Sequence, residues 1–334
     1  MTHDQKTPRD HGGGLDAAIT RFGGARADWL DLSTGINPVP YPLPVLPADA
    51  WTALPDQAAQ QRLRDAAKKH WHVPAGAQVL AAPGASALIA QLPRLAMPGR
   101  VHVPHPTYNE HAAAFLAQGW QLADSTAGAD AQVIVHPNNP TGQWHDPDCL
   151  TAPLAIIDES FADVAPDRSL VAQAARPGRV VLKSFGKFWG LAGLRLGFAI
   201  ARPETIEQLA EWLGPWPVSG PALAIGTAAL DDSGWASGTR ARLNADAAYL
   251  DTLMLRAGAR LHGGTSLFRL YEVPDAALWQ AHLGHHHVWS RIFPWSGTFI
   301  RLGLPCPDRW AQLEHALGTL LGGAMPQASV TQRP

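Results

Sequence analysis

Cysteine is nearly missing from this sequence: Cys149 and Cys306 are the two in 334 residues. Two thiols cannot staple a disulfide framework, so a small secreted scaffold is excluded and a reducing compartment, the cytoplasm, is expected. Excess charge is missing as well. A net charge of −2 leaves no electrostatic footprint for nucleic acid or an acidic membrane surface. No run approaches ~18 uninterrupted apolar residues, so no transmembrane helix is expected. The polar opening MTHDQKTPRDHGGG lacks the apolar core of a signal peptide. There is no internal repeat, no Walker A loop and no G-x-G-x-x-G. His11-Gly12-Gly13-Gly14 has the look of a lipase oxyanion loop, but without a G-x-S-x-G elbow a hydrolase is disfavoured.

What is present is core material. With 46% apolar and 16% charged residues the chain reads as globular, and its length suits a large domain with a smaller companion. Its 29 prolines and 31 glycines are scattered, so they punctuate structure and do not mark disorder. Residues 1–10 read as a frayed end, followed by a helix over Leu15 to Phe22. The proline-rich stretch Pro38 to Pro47 is too stiff for regular structure. A helix is expected over 57–70, with Leu63, Ala66 and Ala67 on one face. From about residue 75 strands and helices alternate. Strands are expected at 79–82, 101–103, 133–135, 154–157, 180–183 and 196–200, with helices from Pro83 to about Leu95 and over 109–118. This rhythm implies a mainly parallel sheet covered on both faces, with ligands at the carboxyl ends of its strands. A long helix over 236–257, strands at 266–271 and 298–302 and a closing helix at 308–321 complete the pattern. The expected division is an arm at 1–40, a large domain at 41–230, a small α+β domain at 231–325 and a disordered tail over the last nine residues.

The chemistry gathers around Ser184-Phe185-Gly186-Lys187-Phe188-Trp189-Gly190-Leu191-Ala192-Gly193-Leu194-Arg195. Apolar neighbours favour the uncharged amine of a lysine, the form that attacks a carbonyl to give a Schiff base. Arg195, eight residues on, suits a phosphate. Together they suggest pyridoxal 5'-phosphate (PLP), although the stretch by itself also reads as strand, loop and strand with a surface lysine. Gly84-Ala85-Ser86, between a strand and a helix, is either an anion site or a generic turn. Asp158 ends a strand that should be buried, where a carboxylate needs a cationic partner. His285-His286-His287 reads as a solvated loop, since consecutive histidines point in different directions. Trp216, Trp289 and Trp295 are candidate pocket residues among packing tryptophans.

The segment around Lys187 resembles the cofactor-lysine motif of class I/II aminotransferases of PLP fold type I, S-x-x-K-x-x-x-L-x-G-L-R-x-G. His136-Pro137-Asn138-Asn139-Pro140-Thr141-Gly142 resembles that family's N-P-T-G turn, and Ile156-Ile157-Asp158-Glu159-Ser160-Phe161 its strand-end aspartate. The resemblance implies an α/β large domain in an α/β/α sandwich plus a smaller α+β domain. It implies PLP on Lys187, its phosphate among Gly84, Ala85, Ser86, Ser184 and Arg195, and its ring nitrogen on Asp158. Asn139 would bond the ring oxygen, Tyr108 would stack on the ring, and Arg301 would take a substrate carboxylate.

His11-Gly12-Gly13-Gly14, Leu32-Ser33-Thr34-Gly35-Ile36-Asn37-Pro38 and Pro106-Thr107-Tyr108-Asn109-Glu110-His111 resemble the threonine-phosphate decarboxylase branch of cobalamin biosynthesis. Phe161, where aminotransferases commonly carry Tyr, agrees with it. The branch implies that His11, Gly35, Asn37 and Arg301 bind substrate, a phosphorylated amino acid. The implied reaction converts L-threonine O-3-phosphate to (R)-1-amino-2-propanol O-2-phosphate and CO2. A homodimer and a cobalamin-assembly enzyme that receives the product are implied with it, and no metal. Gly186, Leu54 and Gly35 depart from the pattern, where Ser or Thr, Tyr and Asn are frequent. An aminotransferase, with histidinol phosphate as the obvious substrate, and a non-catalytic PLP-fold subunit remain the alternatives.

Overall fold

The structure, a computed structural model, describes residues 11–322. The expected frayed end at 1–10 and the expected tail lie outside these residues. The chain divides into two units. Among the described residues, the smaller takes 11–35, Asp246–His262 and 268–322; the larger takes Ile36–Ala245 and Gly263–Leu267.

In chain order the smaller unit opens with α1 (Leu15–Phe22) and β1 (Leu30–Asp31). Leu15, Ala18 and Trp29 form an apolar cluster under Phe22 and Trp289. The larger unit then runs through α2 (Asp49–Thr52), α3 (Gln57–His70), β2 (Gln78–Ala82), α4 (Ala85–Gln91), β3 (Arg100–His102), α5 (Asn109–Ala117), β4 (Gln121–Ala123), β5 (Ala131–Val135), β6 (Leu154–Asp158), β7 (Arg179–Ser184), β8 (Gly197–Ala201), α6 (Pro203–Leu213) and α7 (Gly220–Asp231). Pro38 to Pro47 carries no helix or strand, as its stiffness predicts. The helix α3 starts where the Asp56 side chain accepts from Ala59 N–H, and it buries Leu63, Ala66 and Ala67 as expected.

Seven strands form one sheet in the order β2-β8-β7-β6-β5-β3-β4. Every residue of β5, β6 and β8 is buried, the pattern of strands covered on both faces. The pairs from β4 to β7 are parallel, and β8 is antiparallel to both its neighbours. That reversal has a simple cause. Parallel neighbours need a long crossover, whereas β7 returns to β8 through a loop closed at its base by the pair Ser184↔Gly197. Lys187 lies on that loop. The short edge strand β4 escapes the sequence pattern because only Ala123 of its three residues is buried.

The helix α8 (Ser233–Arg256) follows, then β9 (Arg260–Thr265), β10 (Phe268–Glu272), α9 (Ala276–His285), β11 (Val288–Trp289), β12 (Arg291–Phe293), β13 (Ser296–Gly303) and α10 (Trp310–Gly322). The boundary between the units at 245/246 falls inside the 24-residue helix α8. Residues 11–35, read as part of an arm, group with the C-terminal residues because β1 pairs in parallel with β11. A four-stranded sheet has the order β12-β13-β10-β9. Asp251 of α8 ties to it by accepting both Arg269 Nε at 2.9 Å and Nη2 at 2.8 Å, and the Tyr271 hydroxyl at 2.7 Å. His285, exposed, ends α9, and His286 and His287 form the half-buried turn that follows it. Their rings pack on Phe22, His315 and Trp29 respectively. Among the described residues, no helix is long and apolar enough to cross a membrane.

Candidate active site

The carboxyl ends of β5, β6 and β7 open on a cavity of about 160 Å³. Ala85, Ser86, Tyr108, Asn139, Asp158, Phe161, Ser184, Lys187 and Arg195 line it, nine positions expected on sequence and separated by up to 110 residues in the chain (195 − 85). Neighbouring asparagines divide their roles there. Asn138 is buried and knits loops together, accepting from Thr107 Oγ1 at 2.6 Å and donating to Pro106 O and Thr141 Oγ1. Asn139 faces the cavity.

Asp158 is buried, and its partners come from the chain itself. His111 Nε2–H donates to Oδ2 at 2.8 Å, while Oδ1 accepts Ser160 N–H at 2.9 Å and the Ser160 hydroxyl at 2.5 Å. Burial opposes ionisation, yet the His111 hydrogen bond and charge with the two Ser160 bonds outweigh it and hold the carboxyl below its ordinary range. These partners stand beside the one expected from a ligand's ring nitrogen. The carboxylate is stable alone and keeps one lone pair of Oδ2 for a further donor.

Gly84 and Arg195 form the other end. Gly84 has φ 86°, and a Cβ on it would lie 2.5 Å from Arg195 Nη2. A glycine is needed both for that backbone and for the guanidinium to come so close. Arg195 itself is left-handed at φ 52°, a conformation that costs a non-glycine residue roughly 1–3 kcal/mol and concentrates at functional sites. Its Nη1 donates to Ala192 O at 2.9 Å. Lys187 is half-buried, with Nζ 5.2 Å from the centroid of the Phe161 ring. Phe161 thus offers the amine an aromatic face in place of a hydroxyl.

The smaller unit assembles a different group. Arg301, 5% exposed, donates from Nη2 to Ser33 O at 2.6 Å. The Ser33 hydroxyl accepts Gly13 N–H at 2.7 Å and donates to Asp31 at 2.6 Å, which brings the His11 arm to the same strand end as Arg301. His11 is exposed and Gly35 buried on this segment. Arg291 stands directly across from Arg301 in the β12/β13 ladder. Like charges opposite one another destabilise a sheet, so the pair is suited to an anion.

A model of the aminotransferase class I and II family matches residues 120–320, more than half of the chain. The chain belongs to the aminotransferase class I and II family. It is 42% identical over 321 residues to a threonine-phosphate decarboxylase from a Sinorhizobium species, covering 90% of this chain and 94% of that one. It is 39% identical over 327 residues to a threonine-phosphate decarboxylase from Pseudomonas aeruginosa, covering 92% and 97%. Among solved structures, the histidinol-phosphate aminotransferase from Sinorhizobium meliloti in complex with pyridoxal-5'-phosphate matches with a TM-score of 0.78 at 18% identity, covering 95% and 96%. That likeness is one of fold.

The cavity residues fit the PLP of such aminotransferase-family proteins. The space a Cβ would fill at Gly84 is held by a guanidinium suited to phosphate, Asp158 is a carboxylate poised to accept a proton-bearing nitrogen, and Lys187 supplies the amine. Three positions went unread in the sequence. His111 lies three residues after Tyr108, one helical turn on, and spacing alone could have flagged it. Ser160, two residues after Asp158, carried the signal of an aspartate bonding its own chain two residues on. Arg291 had no local signal, because its place depends on the register with β13. Of the tryptophans, Trp216 lines another cavity with Arg64 and Gln60, while Trp289 packs on Phe22 and Trp295 on Phe293.

Proposed function

We propose that this chain decarboxylates L-threonine O-3-phosphate to (R)-1-amino-2-propanol O-2-phosphate and CO2, in the supply of the aminopropanol unit of cobalamin. One observation carries this reading: 42% identity to a threonine-phosphate decarboxylase extending over 94% of that protein, with Lys187, Asp158, Asn139 and Arg195 lining one cavity.

In this reading Lys187 anchors PLP, Arg195, Ser184 and the Gly84-Ala85-Ser86 turn hold its phosphate, and Asp158 and Asn139 hold the ring edge. Bound PLP supplies a conjugated ring able to accept the electron pair left at Cα when the bond to the carboxylate breaks. Asp158, kept ionised by His111 and Ser160, stabilises positive charge beside it. Tyr108 and Phe161 exclude water from the ring faces. Arg301 would orient the substrate carboxylate through its two-pronged donor geometry, Arg291 and His11 would take the phosphate, and Gly35 is a further substrate-binding position. Lys187 Nζ returns a proton to Cα, which balances the loss of CO2.

The partner is a second copy of the chain. Leu43, Val45, Trp51 and Leu54 are 66%, 100%, 70% and 68% exposed within twelve residues, more apolar surface than a lone subunit favours. The double variant Trp51→Asp, Leu54→Asp is expected to sediment as a monomer, and an unchanged sedimentation coefficient would remove this face from the interface. An enzyme of cobalamin assembly receives the product. Cys149 and Cys306 form no disulfide among the described residues, in agreement with the cytoplasm.

The deciding experiment incubates the PLP-loaded protein with L-threonine phosphate and 2-oxoglutarate. CO2 release without amino transfer is expected. Amino transfer without CO2 would overturn the reading in favour of an aminotransferase, with histidinol phosphate the next substrate to try.

A further inference from the structure

Asn37 was expected at the substrate, and the structure gives its side chain a different occupation. The segment Asn37 to Tyr41 runs beside the lysine loop and takes its carbonyls in order. Asn37 N–H donates to Lys187 O at 3.0 Å, Asn37 Nδ2 to Phe188 O at 2.8 Å, and Tyr41 N–H to Trp189 O at 2.9 Å. Both lone pairs of Asn37 Oδ1 are also taken, one by Arg242 Nη2 at 2.6 Å and one by Val39 N–H at 3.0 Å. The side chain is 2% exposed. Gly190 permits the approach, since a Cβ there would lie 2.6 Å from Pro40 Cα. Within the loop Trp189 is stacked between Phe185 and Trp235, with ring centroids 5.1 and 5.3 Å away, and its Nε1 donates to Asp163 Oδ2 at 3.1 Å.

We propose that Asn37 and Arg242 are positioning residues that clamp the backbone of Lys187 and Phe188 and so set where the Lys187 amine lies in the cavity. The physical basis is a polarised relay. A guanidinium on the amide oxygen is a charge-assisted bond, and it strengthens donation from the amide nitrogen of the same side chain. The relay ends on the carbonyls of the residue that carries the chemistry and of its neighbour. A displacement of about 1 Å in a reacting group costs on the order of 10²-fold in rate, so a clamp on this loop acts on turnover and not on substrate affinity. The role in turnover rests on the decarboxylase reading; the clamp itself does not.

The test compares wild type with Arg242→Met, which keeps the bulk and removes the donor, Arg242→Lys, and Asn37→Asp, which removes the donor to Phe188. Three readouts are taken on each. The first is hydrogen exchange of the 185–191 peptide in cofactor-free protein, expected to rise about tenfold or more in Arg242→Met. The second is the pH titration of the visible absorbance of PLP bound to Lys187, expected to move in Arg242→Met and to return toward wild type in Arg242→Lys. The third is CO2 release, where kcat is expected to fall about tenfold or more with KM held within about twofold. Unchanged exchange and an unchanged titration would overturn the clamp, as would a rise in KM alone. Wild type that binds PLP and releases no CO2 would instead defeat the decarboxylase reading, with the first two readouts still deciding the clamp. Should Arg242→Met fail to fold, Asn37→Asp is held to the same three outcomes.

Discussion

The cavity of the larger unit and the arginine pair of the smaller one solve the placement of reactive groups in opposite ways. Asp158, Ser184, Lys187 and Arg195 stand at or beyond strand ends, where the ladder no longer dictates direction, and each is fixed by bonds of its own. Asp158 has His111 and Ser160, Arg195 has Ala192 and a left-handed backbone, and the lysine loop has Asn37. Arg301 sits inside β13, between Leu270 on one neighbouring strand and Arg291 on the other, so the ladder sets its backbone position, and its guanidinium is then held by the bond to Ser33 O. In the proposed reaction the groups assigned to bond breaking are individually bonded, and the group assigned to an anion takes its backbone place from the sheet. Loop groups should therefore govern turnover, and strand groups affinity.

The sharpest way to break that contrast is at Lys187. Lys187→Ala is expected to reduce CO2 release by about 10³-fold or more with the melting temperature nearly unchanged, since the side chain is half-buried and packs on one ring. A residual rate near wild type would mean that the amine is not the reactive group. On the strand side, Arg301→Met is expected to raise KM by about 10- to 100-fold while kcat falls less, and Arg301→Lys should recover little, because an ammonium lacks the planar fork. A fall in kcat at constant KM, measured by CO2 release against substrate concentration, would erase the distinction between the two regions.

The smallest expected effect is a shift in pH dependence. The Asp158 carboxyl lies below its ordinary range, so its ionised form, with its contribution to stability, is fully present above the unfolded value and is lost as pH falls through the lower folded one. His111→Phe removes the bond that holds it there and leaves burial, which pushes the other way. The acid limb of the kcat profile should then move to higher pH, with kcat well above that limb largely kept. An unmoved limb would show that Ser160 alone holds the carboxylate.

Much of this site was legible in sequence because its residues sit in local patterns. A strand followed by a small-residue turn marked Gly84 to Ser86, and an apolar run ending in Asp marked Asp158. The α3 helix followed from the spacing of Leu63, Ala66 and Ala67. What was not legible depends on partners brought together by topology. Asn37 looks like a turn residue or a substrate ligand until Phe188 and Arg242 are placed around it, 151 and 205 residues away. Arg291 gains meaning only across from Arg301. The segment 11–35 reads as an arm because its strand, β1, is two residues long and shows its pairing only beside β11.

The hairpin closure of the lysine loop bears on how such a protein can change over evolutionary time. A crossover between parallel strands carries a helix that covers the sheet, so altering it disturbs the core. The stretch between Ser184 and Gly197 is instead a cassette whose ends are paired to each other, and exchanging a side chain within it leaves every strand in register. Gly186 illustrates this tolerance. It departs from the motif that its surroundings resemble, and its own N–H closes the turn by donating to Ser184 Oγ at 3.2 Å. The shape of the loop is held by its paired ends and by the buried rings of Phe185, Phe188 and Trp189, and the positions between those rings remain open to selection for a different reaction.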